Sequence, residues 1–161
     1  MTHRVSSEQL SALQFERVWV REAVFLDIEG EKDSAAPQAH LKVGIRIEVK
    51  VAYSPRGDGA FVTVRAALDP PADERLFREL TAAVEGEFSV RGGVDRQRLE
   101  SFATTQAPVL LLPYLRQVLT TLTAQSRVGA IVMPPLNMVE ITKAMQAQAK
   151  DKPAAAVTAQ P

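Results

Sequence analysis

Cysteine is missing from the sequence, which excludes a disulfide frame, a thiolate nucleophile and any cysteine-ligated zinc module. Charge of one sign is missing too, since 19 basic and 19 acidic residues cancel over 161 positions. Proteins that neutralise nucleic-acid phosphates carry a basic excess, so no nucleic-acid partner is expected. The longest apolar runs, around 109–112 and 129–136, fall far short of the ~18–20 residues that a membrane span needs. The first residues hold no apolar core of signal-peptide length. The expectation is therefore a cytoplasmic protein without membrane insertion.

Groups suited to chemistry are equally scarce. The two histidines are His3, in a polar terminus, and His40, at a loop–strand boundary. Neither neighbours a Gly-x-Ser-x-Gly elbow. Glu29, Glu31 and Asp33 lack the glycine and the later glutamate of a calcium loop. Gly92-Gly93 has no Lys-Ser/Thr after it to cradle phosphate. No catalytic residue, metal site or cofactor is expected. An enzyme would have to rest on His40 or Glu22, with no acid–base pair in view.

Apolar pattern is plentiful. Residues 14–29 form a long strand with Val18, Val20, Val24 and Leu26 on one parity and Phe15, Trp19 and Phe25 on the other. Residues 41–53 give the cleanest signal: Val43, Ile45, Ile47, Val49, Val51 and Tyr53 alternate with small or charged residues, as in a half-buried antiparallel strand. Residues 54–59 supply a turn, whose Arg56-Gly57-Asp58 is read as turn chemistry alone. Residues 60–68 return as the partner strand.

Residues 73–90 are ambiguous. Leu76, Phe77, Leu80, Ala83 and Val84 make a helical stripe, while Leu76, Leu80, Ala82, Val84, Phe88 and Val90 share a strand parity, with Gly86 as a possible bulge. Asp95 caps a short helix over 96–104, and Pro108 suits the first turn of the next. Pro113 should kink that second helix. Met138, Ile141 and Met145 stripe a last short helix. The domain expected is 14–146, between a tail at 1–13 and a disordered tail at 147–161.

Several motifs together resemble the SecB family of protein-export chaperones. They are Arg17-Val18-Trp19-Val20-Arg21-Glu22, Phe88-Ser89-Val90, Leu99 to Phe102, Ala107-Pro108, Leu112-Pro113-Tyr114-Leu115-Arg116 and Pro135-Leu136-Asn137-Met138. The resemblance spans about residues 14–148. It implies an α+β fold, a four-stranded antiparallel sheet with C-terminal helices on one side, assembled as a dimer of dimers. It also settles 73–90 as the fourth strand.

Function follows by the same implication: an ATP-independent chaperone holding unfolded precursor proteins for export and delivering them to the SecA motor. The alternative is a SecB-like chaperone dedicated to one partner, such as an antitoxin. Apolar residues beyond what single-faced strands need, together with the resemblance, place client binding at Trp19, Val43, Ile45, Ile47, Met133, Leu136, Met138, Ile141 and Met145. The subunit junction falls on Leu111, Leu112, Pro113, Tyr114, Leu115 and Val118. Glu22 matches the first acid of the family's SecA-docking face. Asp27 lies beside the second position, held by Leu26, and Glu79 lies two residues before the third, held by Thr81.

Overall fold

The computed structural model describes residues 13–27, 43–70, 77–90, 95–126, 129–133 and 136–137. Four strands, β1 (Leu13–Leu26), β2 (Gly44–Tyr53), β3 (Gly59–Asp69) and β4 (Glu79–Val90), precede one long helix, α1 (Arg96–Ala124). The strands form a single antiparallel sheet in the order β1-β4-β3-β2, and α1 packs across one face of it.

The β2–β3 hairpin follows directly from its alternation. Ser54 N–H donates to the Gly59 carbonyl at 3.0 Å and Gly57 N–H to the Ser54 carbonyl at 2.9 Å. Gly57 takes a φ of 71°, a left-handed conformation that costs glycine little. The ladder then runs without a register shift from Tyr53↔Ala60 to Gly44↔Asp69.

β4 is a strand, not a helix, because it is central. It pairs with β1 on one side and β3 on the other, and such pairing overrides a local helical stripe. Gly86 is not a bulge; it pairs regularly with Val18 and Val62. Its role is close approach: a Cβ there would meet the Leu111 Cδ2 at 2.6 Å, so the missing side chain lets α1 settle onto the sheet.

The bulges lie in β1. Glu16 and Arg21 have no register partner in β4, and the ladder steps past each. Every step reverses which parity faces the helix. Leu13, Phe15, Val18 and Phe25 thus share the helix side although their numbering changes parity twice, while Trp19 pairs opposite Glu85 on the open side. A strand apolar on both parities is here a strand whose faces are exchanged, not one sandwiched between layers.

α1 departs from the expected pair of helices. It runs 29 residues through both Pro108 and Pro113, capped by the Asp95 carboxylate, which accepts from Gln97 N–H. Its buried row is Leu99, Ala103, Ala107, Leu111, Leu115, Leu119 and Thr123, an unbroken i to i+4 series. Burial along that row offsets the two backbone bonds that the prolines remove, which cost about 3 kcal/mol each at an interior site. The expected tails and the last short helix, with Met138, Ile141 and Met145, lie outside the described residues.

Candidate functional site

An i to i+4 row drifts around a helix by about 40° per step, so its two ends cannot face one sheet. The sheet covers the first part. The last part is covered by residues 129–133, which turn back at Gly129 with a φ of 72°. Ile131 N–H donates to the Thr123 hydroxyl oxygen at 2.8 Å, and the Thr120 hydroxyl donates to the Ile131 carbonyl at 3.4 Å. The Thr123 hydroxyl in turn donates to the Leu119 carbonyl at 2.9 Å, which satisfies a polar group that is wholly buried. Ile131 and Met133 are buried, whereas Val132 between them is 70% exposed. Met133, a sequence-expected client contact, therefore lies in the core; Leu136 is half-buried against it.

On the helix side of the sheet, β3 presents Val62, Val64 and Ala66, all fully buried. Their cross-strand neighbours Val51, Val49 and Ile47 are only half-buried, as are Val43 and Ile45. Shielding by α1 thus reaches β3 and falls short at the edge. Because Ser54 N–H bonds across to Gly59, the antiparallel alternation turns the backbone groups of the even residues 44–52 inward. Ile45, Ile47, Val49 and Val51 then point their N–H and C=O groups away from the sheet, where no described strand pairs with them. One row carries both apolar side chains and outward backbone groups.

Trp19 does not belong to that row. It sits on the open face at the opposite edge, edge-to-face with Phe61 at 6.4 Å and beneath the Arg17 guanidinium at 5.3 Å. The open face is a lattice of ion pairs: Arg17–Glu87, Arg21–Glu85, Arg46–Asp69, Lys50–Glu48 and Arg65–Glu22. Arg65 reaches over Ala83, donating from Nε to Glu22 Oε2 at 2.8 Å and from Nη2 to Oε1 at 3.3 Å. This hydrogen-bonded pairing holds the Glu22 carboxyl below the usual glutamate range. Of the three acids expected to dock SecA, Glu22 is engaged in this way; Asp27 and Glu79 are exposed at the sheet's far end.

The residues expected at the subunit junction divide by helix face. Leu111, Leu112 and Leu115 are buried beneath the sheet, Val118 is half-buried, and Pro113 and Tyr114 face outward. Val109 and Leu110, which the sequence reading passed over, face outward with them, 46% and 45% exposed. Tyr114 also meets Phe15, with ring centroids 5.9 Å apart, and Phe15 stacks on Phe88 at 5.0 Å.

Comparison with known proteins bears on these features. The protein-export protein SecB of Alcanivorax borkumensis is 23% identical over 154 residues, covering 94% of this chain and 97% of that one. The SecB-like chaperone of Mycobacterium tuberculosis, solved with a ChAD peptide from the HigA1 antitoxin, superposes with a TM-score of 0.60. That match covers 78% of this chain and 91% of the other at 16% identity. In sequence and in fold, the chain is SecB-like. An uncharacterized protein of Methanocaldococcus jannaschii is 25% identical over 133 residues, 79% of this chain and 80% of its own length. No protein-family model matches. Among the described residues no helix is long and apolar enough to cross a membrane.

Proposed function

We propose that the chain is an ATP-independent chaperone of the cytoplasm that holds unfolded or precursor proteins through apolar surface. The observation that carries this reading is the β2 edge, where Val43, Ile45, Ile47, Val49 and Val51 are only half-buried beside a closed core. An extended client laid along it gains roughly 1.5–3 kcal/mol per apolar side chain fully buried, before ordering costs. Backbone groups at the same positions add strand-like hydrogen bonds. Because only the unfolded client fits, capture competes with folding by mass action and needs no nucleotide. Several such edges in a homotetramer give avidity without tight local binding.

The test is suppression of aggregation of a non-native client at stoichiometric chaperone without nucleotide. Ile47→Asp is expected to weaken capture while leaving the thermal transition within a few degrees. Failure of the parent chain with several unrelated clients would sink the reading.

A second reading narrows the role to one partner, such as an antitoxin, without SecA. The ion-paired open face favours it: Glu22 is taken up by Arg65, and alternating charges give a basic partner little net field to follow. The SecB-like neighbour solved with an antitoxin peptide supports it as well. A pull-down separates the two, retaining SecA through Glu22, Asp27 and Glu79 or a single small partner instead.

A further inference from the structure

We propose that residues 129–133 form a releasable strap whose opening hands Ile131 and Met133 to a bound client. The inference rests on the chaperone reading and adds where further apolar surface comes from. Three observations converge. The strap begins at Gly129, five residues past the end of α1, and this glycine already holds a positive φ that few other residues adopt, which gives it a ready hinge. Among the described residues its hydrogen bonds to α1 converge on Ile131, whose N–H and carbonyl both bond to threonine hydroxyls, at positions 123 and 120. What it conceals is apolar, Ile131 and Met133 on its own underside and Leu119 in the core cluster that they join.

Two hydroxyl bonds make a weak fastening, because a strap released into water exchanges them for bonds to solvent. The concealed side chains are what the closed state gains, and an apolar client segment supplies the same burial to the open state. A client that binds only the open strap has its apparent affinity reduced in proportion to the fraction of chains that are open. Loosening the clasp should therefore tighten capture, the reverse of what damage to a preformed groove would do. The outward Val132 offers a first contact while the strap is still closed.

Thr123→Val keeps the buried shape and removes the hydroxyl that receives Ile131 N–H. The full chain is compared with this variant by amide hydrogen exchange at Ile131 and by affinity for a permanently unfolded, carboxymethylated lactalbumin. Exchange at Ile131 is expected to accelerate by about tenfold, with the client bound several-fold more tightly. Thr120→Val, which removes the longer bond from a partly exposed site, should shift both readouts the same way by less, and it serves if the first variant fails to fold. Met133→Asp in either background should cancel the gain. Faster exchange with unchanged or weaker binding overturns the proposal, as does unchanged exchange in both variants. If the parent chain binds no unfolded client at all, the chaperone reading falls, and the strap's role with it.

Discussion

Gly86 shows how much of this fold rests on a missing side chain. Its place in the middle of a central strand is unfavourable by itself, by about 0.5–1 kcal/mol relative to alanine. Yet an added methyl would press the Leu111 side chain at 2.6 Å and the Phe88 ring at 3.0 Å, and both residues are fully buried. Overpacking of that kind typically costs about 1–3 kcal/mol. Gly86→Ala is therefore expected to destabilise the chain by about 1 kcal/mol or more, read as a lower denaturant midpoint at constant slope. Leu111→Val in the same chain should recover part of the loss, because it withdraws the atoms that collide. The glycine was visible in the sequence but its reason was not: a parity pattern marks a defect in a strand and says nothing of a helix pressing from above. The burial of Met133 was hidden in the same way. An apolar residue is legible as such, but which of Ile131, Val132 and Met133 faces out depends on a threonine clasp from the end of α1.

Among the elements, the β2–β3 hairpin was legible because its alternation is never interrupted, and one face decides the whole ladder. β1 was legible as a strand but not as a pair of faces, since its two unpaired residues exchange them. α1 was least legible, because prolines at 108 and 113 are local stop signals while the i to i+4 row from Leu99 to Thr123 is a long-range one. Burial won. Pro113 itself faces solvent, so its ring stabilises nothing in the core and its missing N–H leaves the Val109 carbonyl without a helical donor. Pro113→Ala is expected to raise the stability of the isolated chain by about 1–3 kcal/mol, measured by denaturant unfolding at a concentration low enough to prevent association.

For the molecule as a whole, the outward stripe of α1 matters most. Val109, Leu110, Pro113 and Tyr114 lie on adjacent turns, joined by Phe15 from the sheet. We take this stripe, and not the buried Leu111, Leu112 and Leu115, as the surface through which copies of the chain would meet. Leu110→Asp is expected to leave the circular-dichroism spectrum unchanged and to shift the native mass toward smaller species. An unchanged mass in a chain that assembles would move the interface elsewhere. Client capture at the β2 edge should fall with assembly, since loss of avidity acts without touching the edge itself.

The two unpaired residues of β1 have a consequence for how the chain tolerates shortening. Removing Glu16 or Arg21 leaves every other residue of β1 opposite the partner it already has, whereas removing a paired neighbour such as Val18 turns the rest of the strand over. The deletion that folding forgives is thus the one that smooths this side of the sheet. Removing both would yield a protein with two straight borders in place of one, open to sticking to its own kind. Glu16 and Arg21 are spare places in the ladder and safeguards for solubility.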